Sequence, residues 1–136
     1  MTKIIAIDYG IKRVGIAISD ESRKLAFGLD TISSSKIIEF LTQIVKKEHI
    51  DVFVIGKPLQ RDNTPSKIEK LIIQFIKKLK IIFPKIIIER YDERFTSIIA
   101  KKTIIDSGIN KKKRRNKNLV DKISATLILQ SFLENK

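Results

Sequence analysis

The chain has 136 residues, 43% of them hydrophobic, with 28 Lys plus Arg against 15 Asp plus Glu and a formal net charge of +13. That length suits one domain, residues 1–136, with a substantial core. No isoleucine-rich run reaches the roughly 20 apolar residues of a membrane span, because lysine, glutamate or glutamine breaks each one.

Without cysteine there is no disulfide framework, thiol chemistry or Cys-ligated zinc. The opening "MTKIIAID" lacks the apolar core and cleavage site of a signal peptide, so a cytoplasmic address is expected. The cationic excess favours a polyanionic partner, a nucleic acid before an acidic membrane surface. A/T-rich coding, which inflates both Ile and Lys, is the plainer account of the same excess.

Residues 3–9 predict a buried strand closed by Gly10, and Asp8 is the one carboxylate inside it. Residues 13–19 predict a second strand, and "DESRK" a polar turn into a third at about 25–32, which makes an antiparallel meander. After "SSS", Ile37, Ile38, Leu41, Ile44 and Val45 recur at helical spacing. "DVFVIG", residues 51–56, is a short buried strand followed by the loop "KPLQRDNTP".

Ser66 and Glu69 predict a capping box after Pro65, opening a helix with Ile68, Leu71, Ile72, Phe75, Ile76 and Leu79 on one face. Pro84 closes that region and "KIIIERY" predicts a fifth strand. "TSIIAKKTIIDSG" predicts a helix capped by Thr96 and stopped by Gly108. The basic segment "NKKKRRNKN", residues 110–118, leads to a last amphipathic helix over 119–134. The order β-β-β-α-β-α-β-α-α implies an α/β fold: a five-stranded mixed sheet, flanked by helices, in which crossovers add two strands to the meander.

Sheets of this kind bind ligands beyond the carboxyl ends of their strands. Asp8, Gly56, and the pair Asp92 and Glu93 all fall at such ends. Asp8 reads either as a turn residue bonding nearby backbone N–H groups or as a functional carboxylate. Asp92 and Glu93 are adjacent in an extended segment, so at most one points where Asp8 points.

Asp121 lies in the first turn of the last helix, where a helix-dipole partner is common. Ser124 and Ala125 on its face are small enough for close approach to the sheet, and Ile128 and Phe132 continue that face into the core. Asp121 then becomes a third carboxylate aimed at Asp8. Three convergent carboxylates repel one another, and Mg²⁺ or Mn²⁺ relieves the repulsion. Two such ions about 4 Å apart clamp an in-line phosphodiester displacement.

Lys12, Arg13, Arg94 and the cluster Lys111, Lys112, Lys113, Arg114, Arg115 and Lys117 would grip the backbone around that centre. A solvated loop is the bland account of the cluster. His49, the only histidine, has no partner for a zinc site. No phosphate-cradling P-loop or GxGxxG is present, and no aromatic platform marks a single-strand binder.

Four blocks in order, "AIDYGIKRVGIAISD", "VIGKPLQRDNTPS", "YDERFTSIIA" and "KNLVDKISATLILQSFL", resemble the YqgF family of RNase H-like nucleases. Members of that family are described as Holliday junction resolvases and as pre-16S rRNA nucleases. The resemblance implies a ribonuclease H-like sheet order, with Asp8, Glu93 and Asp121 at the acidic active-site positions. Ile11 stands where the family usually has threonine, Lys57 where an aliphatic residue is common, Asn63 where glycine is common, and Ser124 where a small apolar residue is typical. None of these departures removes an acidic position.

The expected activity is metal-dependent endonucleolytic cleavage of structured nucleic acid, with pre-16S rRNA 5′ processing in ribosome biogenesis as the first reading. Holliday junction resolution on branched DNA and a non-catalytic nucleic-acid-binding module are the alternatives. A phosphotransferase built on "IAIDYG" would need two such domains around a nucleotide. Expected partners are pre-rRNA or branched DNA and ribosomal assembly intermediates, with no membrane, and the chain acting as monomer or homodimer.

Overall fold

Runs of isoleucine and valine favour extended backbone and fill both faces of a covered strand. The computed structural model, which describes residues 2–58, 67–93 and 117–135, has such a strand at its centre. This is β1 (Lys3–Tyr9), with Ile4, Ile5, Ala6 and Ile7 wholly buried. It pairs antiparallel with β2 (Arg13–Ser19), which pairs antiparallel with β3 (Ala26–Ser33). Helix α1 (Ile37–Lys47) crosses to β4 (Ile50–Lys57), parallel to β1, and α2 (Glu69–Ile82) crosses to β5 (Ile87–Asp92), parallel to β4.

The sheet order is β3-β2-β1-β4-β5, the mixed five-stranded arrangement expected from the sequence. A last helix, α3 (Lys117–Glu134), completes the described elements. The helix expected between Thr96 and Gly108 lies outside the described residues, as does Ser66 of the expected capping box. Glu69 instead forms a buried ion pair. It opens α2, is only 5% exposed, and binds the Arg90 guanidinium through both carboxylate oxygens at 2.7 and 3.4 Å.

Side-chain alternation divides the core in two. On one face Ile5, Ile7, Val14, Ile16, Phe53 and Ile55 pack under α1 and α2. On the other, Ile4, Ala6, Ala17, Val52 and Val54 meet Ala125, Ile128 and Leu129 of α3. Small residues under α3 let it approach the sheet closely. A Cβ at Gly15 would stand 2.1 Å from the carbonyl oxygen of Asp121, and one at Gly28 would stand 2.8 Å from Lys122 Cγ.

Hydrogen bonds fasten α3 near both ends. Thr31 Oγ1 donates to the Asn118 carbonyl at 2.6 Å, and the Ala26 amide donates to Gln130 Oε1 at 3.2 Å. Because Gly15 faces rigid helix backbone, Gly15→Ala should cost about 1–3 kcal/mol through forced displacement of α3. Gly28→Ala should cost less, since the flexible Lys122 side chain can shift. Denaturant unfolding of the two variants measures the difference.

Candidate active site

Asp8 is the first even-numbered position of β1 beyond the apolar pair Ile4 and Ala6, so it faces α3 at the strand's carboxyl end. Its register partner on β2 is Gly15, the residue that admits the first turns of α3. On the other side, β4 brings Gly56. A Cβ there would lie 2.1 Å from Glu93 Oε1 and 2.7 Å from its Cδ. Glu93, whose amide donates to the Lys57 carbonyl at 3.1 Å, therefore lays its side chain across Gly56 toward β1. Two glycines flank the strand that carries Asp8, one making room for a helix and one for a carboxyl group.

Asp8 and Glu93 are hydrogen-bonded to each other. Burial pushes the Asp8 carboxyl above its usual range; the hydrogen bond with Glu93 pulls it back, and the nearby charge of Asp121 raises it further. Glu93 is pushed up to about 9, first by burial, then by the charge of Asp8 and the hydrogen bond to it, with Arg90 partly offsetting. Physically, one proton sits between two carboxyl groups that cannot both be charged when dry. Glu93 is the donor and Asp8 the acceptor.

Asp121 does not complete a tight triad. Its Oδ2 accepts from Arg13 Nε at 2.9 Å, with both side chains about one-third or less exposed. Among the described residues no three His, Cys, Asp or Glu side chains are gathered closely enough to hold an ion. The Asp8–Glu93 pair nevertheless fits a hard divalent cation. It is an all-oxygen donor set with charge to be neutralised, and Mg²⁺ commonly takes only one or two carboxylates, the rest being water and phosphate oxygens.

Of the expected phosphate-gripping residues, Lys12 is exposed beside the site and Arg13 is engaged by Asp121. Arg94, Lys111, Lys112, Lys113, Arg114 and Arg115 lie outside the described residues, and Lys117 is described by its backbone place at the start of α3. Asp92 ends β5 on the parity of Arg90, opposite the parity of Tyr91 and Glu93. Tyr9 packs, its ring stacked on Phe75 at 4.6 Å between centroids.

Sequence reasoning missed Arg90 and Glu69. Arg90 Nη2 donates to the Gly56 carbonyl at 3.1 Å and Nε donates to the Ile55 carbonyl at 3.3 Å, while the guanidinium grips Glu69. This staple fixes the end of β4, where Glu93 rests, to the first residue of α2. The available signal was a lone arginine amid the apolar positions of "KIIIERY".

A mixed sheet in the order β3-β2-β1-β4-β5, with paired carboxyl groups at its central rim, defines a resolvase-class fold. Two solved structures share it. A fowlpox virus resolvase in complex with Holliday junction DNA superposes at a TM-score of 0.59 with 17% identity, covering 98% of both chains. T. thermophilus RuvC in complex with a Holliday junction substrate does so at 0.59 with 13% identity, covering 99% and 96%.

The chain belongs to the RuvX family: the sequence profile described as "RuvX: Holliday junction resolvase" matches residues 2–135. Relatives include proteins of Flavobacterium psychrophilum, 51% identical, and Bacteroides fragilis, 47% identical. Both alignments cover 100% of this chain and 99% of the relative, and both relatives carry the name "Putative pre-16S rRNA nuclease".

The shared proton makes stability depend on pH. Glu93 rises from an ordinary 4.5 to about 9 on folding, so between those values the folded chain binds more protons than the unfolded one. Stability contributed by the protonated pair is complete below about pH 4.5 and is lost as pH climbs toward 9. Thermal melts in chelator should show the midpoint falling across this window. Glu93→Gln, which keeps a donor to Asp8 without the ionisation, should flatten most of the slope.

Proposed function

We propose that this protein is an endonuclease that hydrolyses a phosphodiester bond at the rim carrying Asp8, and that its substrate is the 5′ region of pre-16S rRNA. The observation that carries the reading is the buried Asp8–Glu93 pair, two carboxyl groups held in contact with one proton between them and Asp121 close enough to raise Asp8 further. Such a pair is costly unless it has work to do. Membership in the RuvX family and two full-length relatives named for pre-16S rRNA cleavage support the choice of reaction and substrate.

Asp8 and Glu93 would hold the divalent cation, Mg²⁺ or Mn²⁺, with Asp121 joining them in a two-ion form of the site. Bound there, the metal supplies an acidified water and a counter-charge for the phosphoryl oxygens. Glu93 must give up its proton for this, and Asp8 must turn from hydrogen-bond acceptor to ligand. Gly15 lets α3 bring Asp121 in from one side of Asp8, and Gly56 lets Glu93 lie against it from the other. Lys12 stands on the same rim to meet substrate phosphate, and Arg13 holds Asp121 in place. The single domain, working where ribosomes are assembled, would then act on rRNA in the cytoplasm.

Branched DNA is the second reading, because both solved structures sharing the fold hold Holliday junctions. Purified protein should be assayed with Mg²⁺ or Mn²⁺ on pre-16S 5′ segments and on four-way junctions side by side. Cleavage of the RNA is expected, abolished by chelator and reduced by more than about 100-fold in Asp8→Asn, since even ligand-supporting neighbours are worth 10- to 100-fold. Activity that survives Asp8→Asn would sink the mechanism. Cleavage confined to junctions would transfer the site to DNA, and salt-sensitive binding without cleavage under any condition would make the chain a binding module.

A further inference from the structure

The opposite face of the sheet carries a second concentration of positive charge that the acidic rim does not explain. Helix α2 buries Ile72, Phe75, Ile76 and Leu79 and turns Lys70, Lys77, Lys78 and Lys80 to solvent, with Lys67 exposed just before it. Its only carboxylate, Glu69, is buried and spent on Arg90. Among the described residues none of these five lysines pairs with an acid.

The helical period places Lys67, Lys70, Gln74, Lys77 and Lys78 in one stripe, and the lysines from 70 to 78 span about 12 Å at 1.5 Å per residue. A surface lysine row is usually balanced by acids at i±3 or i±4, and this one is not. Leu71 and Ile81 on this face, and Ile73 and Ile82 at its flanks, are the exposed apolar residues of α2.

A groove joins this stripe to the rim. It encloses about 310 Å³ between α2 and the turn before α1, and Tyr9, Ser34, Ser35, Gln74 and Lys78 line it. Tyr9 follows Asp8 directly and points to the other face of the sheet, so the groove opens just behind the acidic pair. Ser34 ties the two regions together: its amide donates to the Lys12 carbonyl at 3.0 Å and its hydroxyl to the Ile11 carbonyl at 2.6 Å. The Tyr9 and Ser35 hydroxyls, the Gln74 amide and Lys78, in a groove continuous with lysines that pair with no acid among the described residues, match the phosphodiester backbone of a nucleic acid.

We propose that the outer face of α2 and this groove form a second nucleic-acid surface, which grips the backbone of the substrate RNA away from the cut. The inference rests on the nuclease reading above for its choice of partner. The RNA crosses the rim at Lys12, one segment lying at Asp8 and a further segment of the same molecule on α2. The surface therefore favours substrates long or folded enough to reach both faces.

Binding of a pre-16S 5′ segment to Asp8→Asn protein tests this, measured across salt concentrations. Lys70→Gln/Lys77→Gln/Lys78→Gln should lower the slope of log affinity against log salt by about 2–3, the expectation for three lost phosphate contacts. The equal-charge control Lys24→Gln/Lys46→Gln/Lys47→Gln should change it by less than about 1. Both triples alter exposed side chains, so matched melting midpoints are expected. A short RNA covering only the cleavage point should bind the two triples equally.

Indistinguishable slopes for the two triples on the long RNA overturn the proposal. So does an α2 triple that loses binding to phosphatidylglycerol vesicles while keeping its RNA slope, which would assign the face to lipid. Absence of any RNA binding by Asp8→Asn overturns this surface and the RNA reading together. Binding that weakens only in the α2 triple, from a protein that cleaves nothing, removes the nuclease reading and leaves this surface standing.

Discussion

Two carboxyl groups cannot sit in contact inside a dry rim with both charges present, and the structure is arranged around that constraint. Asp8 and Glu93 meet it by sharing a proton: burial, then the charge of Asp8 and the hydrogen bond to it, lift Glu93 to about 9. The apolar flanks of β1 supply the burial, and the absence of side chains at Gly15 and Gly56 supplies the space. Arg13 keeps Asp121 engaged at 2.9 Å, so the third carboxylate contributes its field without entering the contact. A chain of charge +13 thus keeps a small acidic centre within a cationic exterior. Long-range attraction brings a polyanion in, and a local demand for a cation fixes where chemistry takes place.

Much of this was legible in the sequence because it is written in short-range pattern. Asp8 stood out as a charge inside an apolar strand, and Asp92 and Glu93 fell just beyond another strand, where alternation let only one face Asp8 and the family resemblance indicated Glu93. The meander and the two crossovers followed from periodicity and turn residues, and the sheet order from the family resemblance. Asp121 was found from the small residues on its helix face, of which Ala125 is buried against the sheet, while Gly15 and Gly28 of the sheet give α3 its closest approach.

What was not legible depends on partners distant in the chain. Arg13 read as a free phosphate-binding residue, yet its partner is 108 positions away. Glu69 read as half of a capping box, although its carboxylate turns to an arginine on β5. Neither partner can be named locally: the apolar setting of Arg90 sets it apart without saying which acid it meets, and Arg13 has no such setting. The glycines are similar: Gly56 resembles any strand-ending glycine until the side chain resting on it is known.

The Glu69–Arg90 pair has a consequence for how such a chain can change over time. With Glu69 only 5% exposed, removing Arg90 strands a carboxylate where water barely reaches, and removing Glu69 leaves a part-buried guanidinium without its acid, whereas replacing both with apolar groups of similar volume is often closer to neutral. The two positions therefore behave as one heritable unit, tolerating paired exchange and resisting single steps. In a set of related sequences they should covary even though neither touches substrate. A search of such sequences for catalytic residues by invariance alone would pass over the staple that holds the rim in register.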